Sequence, residues 1–319
     1  MKLSTEVTIP QYPFRVDHRV PLLLMGSCFT ENIGRVMDRS LFPITINPFG
    51  TTYNPLSVMS SLEALIQKER YGEAELEQHN GLWFSFDHYT GFSAPHREAC
   101  LDGINKEFIH AKKVLGEAQL LVITWGTAWV YRYNKTGEVV SNCHKIPASR
   151  FTRTRLTTKE IIQSYEAFLP ELFRHNPDLK ILLTVSPVRH WKEGAHGNQL
   201  SKATLLLATE ALERQFPGQV FYFPSYEIVM DELRDYRFYA GDMLHTNPVA
   251  TQYIWERFRD ALISDESQKI IKEVEPLVKL MEHRPQDTEG EAHQLTLHRT
   301  KEKLDLMKKK YPFLTWERI

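Results

Sequence analysis

Cysteine is scarce in the 319-residue chain: Cys28, Cys100 and Cys143 stand far apart and are odd in number. That excludes a disulfide framework and leaves no C-x-x-C pair for a structural metal, so reduced, partly buried thiols are expected. Long apolar runs are missing too. No stretch approaches the 18 uninterrupted apolar residues of a membrane helix, and MKLSTEVTIPQYPF lacks the charged start and apolar core of a secretory leader. The expectation is a cytoplasmic chain with no membrane attachment. Nor does one sign of charge dominate, because 39 Lys+Arg face 40 Asp+Glu, and no bulk field draws the chain to nucleic acid. His79, His88, His96 and His110 avoid the i, i+4 spacing of a metal-binding helix, so no metal site is expected.

What is present is a soluble globular composition, 42% hydrophobic and 25% charged, which argues against a disordered or coiled-coil chain. Short apolar runs recur at Pro21 to Met25, Pro43 to Ile46, Gln119 to Trp125, Leu179 to Val185 and Gln219 to Phe223. They lack polar alternation, which is the pattern of strands buried on both faces of a parallel sheet. Helical patterns separate them: Thr30 to Arg39 with a Thr cap, Pro55 to Arg70, Thr158 to Arg174, Leu200 to Gln215, and one that Pro248 opens and that runs to about Ile263. The fold class is therefore α/β, a three-layer α/β/α sandwich around a five-stranded, mainly parallel sheet. Two small β inserts decorate it, Leu82 to Tyr89 and a hairpin of Trp129 to Tyr133 with Val139 to Asn142. Past Ser264 the chain turns to Lys, Glu and Gln, and Pro276, Pro285 and Gly290 break it into two short helical stretches. The expected division is an α/β domain over 1–263 and a helical extension over 264–319.

Chemistry concentrates at two places. Gly26-Ser27-Cys28-Phe29-Thr30 ends the first strand and enters a helix at once, where open α/β sheets place their ligands and helix N–H groups meet anions. A helix cap is the bland alternative for Ser27. Gly241-Asp242-Met243-Leu244-His245 precedes the last helix of the sandwich. A carboxylate three residues before a histidine reaches the ring Nδ1 across a turn and fixes the tautomer whose Nε2 accepts a proton. Arg189 and His190, after the fourth strand, fall on the rim, where substrate contact competes with loop packing. Cys28 is expected to turn inward, since successive residues at a strand end point oppositely. Trp83, Phe84, Trp125, Trp129 and Tyr131 form either a sugar-stacking wall or the core of the inserts.

Gly26-Ser27-Cys28-Phe29, Asn142-Cys143-His144-Lys145, Ser186-Pro187-Val188-Arg189-His190 and Asp242-x-x-His245 together resemble the GSCFA family, a branch of the SGNH/GDSL-type hydrolases, over about residues 20 to 262. The resemblance implies a flavodoxin-like sheet, Ser27 as nucleophile and Asp242 and His245 completing a triad. It further implies that the Gly50 amide, with that of Ser27, receives the oxyanion. One departure stands out. Where the superfamily places an asparagine amide after the third strand, this chain has Gly126-Thr127-Ala128-Trp129, and Ala128 donates nothing from its side chain. Losing one such donor typically costs about 10²- to 10³-fold in rate. Thr127, Asn142 and His144 are the candidates to replace it. The implied activity is a cofactor-free, serine-dependent acyl-ester hydrolase whose substrate is a small molecule or O-acylated carbohydrate. Acyl transfer, or a binding module on the same fold, is the alternative. Oligomeric state is left open by the sequence.

Overall fold

The structure is a computed structural model that describes residues 5–282 and 291–318. Its centre is one parallel sheet of β1 (Leu22–Gly26), β2 (Ile44–Ile46), β3 (Leu120–Trp125), β4 (Lys180–Val185) and β5 (Val220–Tyr222), in the order β2-β1-β3-β4-β5. β1 and β3 run in register from Leu22 against Leu120 to Gly26 against Thr124, and every residue of both is buried. Such strands need cover on two faces, and alternation along the strand divides their side chains between two cores. Leu22, Leu24, Leu120 and Val122 pack toward α1 (Cys28–Arg39) and α6 (Pro248–Leu262). Leu23, Met25, Leu121 and Ile123 pack toward α2 (Pro55–Gln67), α3 (Arg97–Glu117), α4 (Thr158–His175) and α5 (Gly194–Gln215). The three-layer sandwich follows.

Several boundaries differ from the sequence reading. Helix α1 starts at Cys28 with Ser27 at its cap position, so Thr30 caps nothing and lies buried in the first turn. Of Leu82 to Tyr89 only Leu82–Phe84 is a strand, paired antiparallel with Glu77–His79. The hairpin Trp129–Tyr133 with Val139–Val140 forms, but Phe151–Arg155 adds a third strand beside Trp129–Tyr133. Pro276 does not break its helix: α7 (Asp265–Glu282) runs through it with Pro276 on the exposed face, where a carbonyl left without its helical partner can face solvent. Pro285 and Gly290 lie outside the described residues.

Helix α7 docks through Ile270, Val274, Leu277 and Val278, which gather with Leu314 and Trp316 around Leu41, and α8 (Glu291–Lys310) packs Leu304 and Met307 against the same cluster. Leu41 precedes β2, so this contact lies at the amino ends of the strands, opposite their carboxyl ends. No helix among the described residues is long and apolar enough to cross a membrane.

Candidate active site

The strand order reverses between β1 and β3, and ligands of doubly wound sheets bind outside the carboxyl ends at such a switch point. Gly26 lets the two strands meet there. Its φ is +138°, and a side chain would stand 2.2 Å from the Thr124 carbonyl oxygen. A cavity of about 530 Å³ opens above this point. Cys28 from the start of α1, Thr127 after β3, Arg189 and His190 after β4, Asn142 from the insert and His245 before α6 all line it.

His245 is held by its own turn. Asp242 Oδ1 accepts the Leu244 and His245 amides at 2.9 and 3.0 Å, and Oδ2 meets His245 Nδ1 at 2.6 Å. Those hydrogen bonds, the His245 amide first, keep the Asp242 carboxyl far below the usual carboxylate range. Met243 takes φ +59° to close the loop, and Ala240 N–H donates to the His245 carbonyl at 2.7 Å. A left-handed non-glycine residue is the kind of strain that collects at functional turns. With a carboxylate on Nδ1, Nε2 is the nitrogen available to take a proton.

Ser27 and Cys28 exchange the places expected of them. Ser27 is 1% exposed, does not line the cavity, and its Oγ is closed off without a hydrogen-bond partner among the described residues. Cys28 is only partly buried and faces the cavity. Side chains alternate along β1, but the left-handed φ of Gly26 resets the phase at its end. The expected oxyanion amides are also engaged: Ser27 N–H donates to Thr124 O at 3.2 Å and Gly50 N–H to Asn47 O at 2.7 Å.

The remaining residues divide. Thr127 reaches the cavity while its hydroxyl contacts Ser201 Oγ at 3.1 Å and accepts the Trp129 amide. Asn142 lines the cavity and accepts the His144 amide at 2.9 Å. His144 itself turns away, stacks on Phe84 at 4.2 Å and bonds the Ser85 and His88 carbonyls. His190 is pushed down to about 4, chiefly by burial, so its ring is neutral at pH 7. Its Nε2 has no hydrogen-bond partner among the described residues and stands 3.0 Å from where a Gly126 side chain would begin. Of the aromatic candidates, Trp125 and Phe84 are core residues and Trp83 packs under Arg97. Trp129 and Tyr131 form one wall, braced by Arg153 at 4.7 and 5.2 Å from their ring centres.

Sequence reasoning missed Lys202. It is fully buried on α5, and its Nζ donates to the Gly126 and Ser186 carbonyls at 2.6 Å each, tying the loops that follow β3 and β4. Burial pushes its amine down to about 7. A lone lysine inside an otherwise ordinary amphipathic helix carries no sequence signal of this kind. Among the described residues no three His, Cys, Asp or Glu side chains cluster as metal ligands would.

The five parallel strands take a flavodoxin-like order, and a histidine turn faces the end of the first of them. The chain belongs to the GSCFA family, whose pattern matches residues 21–258, and residues 274–318 match the C-terminal domain described for GSCFA domain proteins. Comparison with curated proteins returns no match. Among solved structures, a carbohydrate esterase family 3 protein from Talaromyces cellulolyticus is similar at 10% identity and TM-score 0.38, over 79% of this chain and 98% of that one. An acetyl xylan esterase, Est2A, from Butyrivibrio proteoclasticus is similar at 12% identity and TM-score 0.41, over 80% and 64%. A family two carbohydrate esterase from Clostridium thermocellum, solved with cellohexaose, is similar at 12% and 0.36, over 77% and 64%.

Proposed function

We propose that this protein is an acyl-ester hydrolase, with an O-acylated carbohydrate as the substrate class. The observation that carries the reading is the 2.6 Å contact of Asp242 Oδ2 with His245 Nδ1, on a histidine that faces the cavity at the switch point. In this reading His245 Nε2 takes the proton of a nucleophile at the β1–α1 junction, where Ser27 and Cys28 are neighbours, and returns it to the departing alcohol. Asp242 fixes the tautomer and stabilises the imidazolium. Thr127, Asn142, Arg189 and His190 contact the substrate, while Trp129 and Tyr131 offer ring faces suited to a sugar. No cofactor takes part.

A screen of short p-nitrophenyl esters and acetylated sugars tests it. His245→Ala is expected to cost about 10⁴-fold in kcat and Asp242→Asn about tenfold less, with Michaelis constants little changed, since the pair acts on the transition state. Activity that survives His245→Ala removes His245 as the base, and a screen without turnover of any ester sinks the hydrolase reading. The engaged amides of Ser27 and Gly50 favour a second reading, a carbohydrate-binding module without turnover. Binding of acetylated oligosaccharide by calorimetry, with no product formed, would support that one instead.

A further inference from the structure

We propose that Cys28, not Ser27, is the nucleophile, and that the protein works through a thioester acyl-enzyme. The inference rests on the hydrolase reading for its substrate but stands on its own geometry. Cys28 lines the same cavity as His245, whereas Ser27 does not. Ser27 Oγ is shut away from solvent beneath Gly126, whose missing side chain would begin 3.3 Å from Ser27 Cβ. Attack by Ser27 would require its Oγ to leave this buried place.

The backbone makes the same distinction. A nucleophile of this kind works best when a neighbouring amide receives the negative oxygen that its attack creates. Ser27 N–H is spent on Thr124 O. Cys28 is the first residue of α1, and the amides of a helix's first turn have no carbonyl of their own helix to bond. The Cys28 and Phe29 amides bear on the sulfur and draw its pKa down. They stand beside a group on Cys28, where the amide of Ser27 would have to serve a nucleophile pointing the other way.

The thiol also needs its base. Burial first, then the Glu31 carboxylate, raises its pKa, against which the two amides and Lys202 pull only in part. Cys28 therefore rests protonated and is not a preformed thiolate. His245 Nε2 takes the thiol proton while sulfur attacks the acyl carbon, the C–O bond to the alcohol breaks, and the alkoxide leaves with the proton from His245. Water then adds to the thioester, giving a proton to His245, and the C–S bond breaks to release the carboxylic acid and return the thiol.

Two measurements on the full chain test this. On an ester the protein turns over, Cys28→Ala should lose at least about 100-fold more kcat than Ser27→Ala, and Cys28→Ser should keep a small remainder. Acid-quenched turnover should leave the acyl group on peptide 20–35, located on Cys28 by fragmentation and removed by neutral hydroxylamine as a thioester is. An acyl group on Ser27, or the reverse order of losses, overturns the proposal. Independently of any ester, iodoacetamide at pH 7 should alkylate Cys28 at least about tenfold faster in wild type than in His245→Ala. Equal rates, or reaction at Cys143 alone, also overturn it. Histidine-dependent alkylation without ester turnover would keep Cys28 as an activated nucleophile while removing the hydrolase reading.

Discussion

Lys202 joins the two loops that carry Thr127 and His190 by donating to the Gly126 and Ser186 carbonyls. Lys202→Met keeps the length of the side chain but leaves both buried carbonyls unpaired, at about 1–3 kcal/mol each. The expected loss is about 2–4 kcal/mol in urea unfolding, with a raised Michaelis constant for any ester turned over, because the two loops lose their common anchor. A variant with unchanged stability would show that water replaces the amine. At this scale the Asp242–His245 pair was legible in the sequence, since three residues of spacing fix a local turn. The side of the chain on which Ser27 and Cys28 fall was not legible, because it depends on the φ of Gly26 and on how closely Thr124 approaches it.

At the scale of elements, the sheet strands announced themselves through apolar runs without alternation, a direct result of burial on both faces. Helix α3 was overlooked although Cys100, Ile104, Phe108, Ala111 and Leu115 form its buried stripe. Their i, i+4 and i+3 spacing was there to be counted, but the segment follows an irregular insert and opens on an uncapped His96. Phe151–Arg155 gave no comparable signal. One residue of its five, Phe151, is buried, so it is a strand chiefly because Trp129–Tyr133 offers it an edge. The docking of α7 and α8 yields a prediction that separates stability from function. Trp316 is buried against the Leu41 cluster, its indole N–H donating to Tyr311 O at 2.8 Å. Trp316→Ala should cost about 3 kcal/mol in denaturant unfolding while the folded fraction keeps its specific activity. Loss of activity beyond the loss of folded protein would place this appendage in the catalytic cycle.

At the scale of the molecule, burial sets the response to acid. His18 and His190 are held down to about 4 and His88 to about 3, each chiefly by loss of water. Unfolded histidines take up protons near pH 6.5, so below that pH the unfolded chain binds protons that the folded chain refuses until about 4 or 3. Stability should fall as pH drops from 6.5 toward 4, by at most about 1.4 kcal/mol per pH unit for each histidine. Asp87 and Glu227, raised by burial, oppose part of it. Melting temperatures at pH 7, 6, 5 and 4.5 check this, and His88→Phe, which keeps the ring beside Phe49, should flatten the slope. An equal slope in that variant would remove His88 from the account. The three-stranded insert has a consequence of another kind. It supplies Trp129, Tyr131 and Arg153 to the cavity wall, whereas the floor comes from the ends of β1, β3 and β4, and the insert carries its own small core of Tyr133, Val140 and Phe151. On the proposed function, the insert's share of substrate contact is thus packed separately from the reacting groups, so exchanging residues 129–155 between relatives is a route to new substrates that leaves those groups in place.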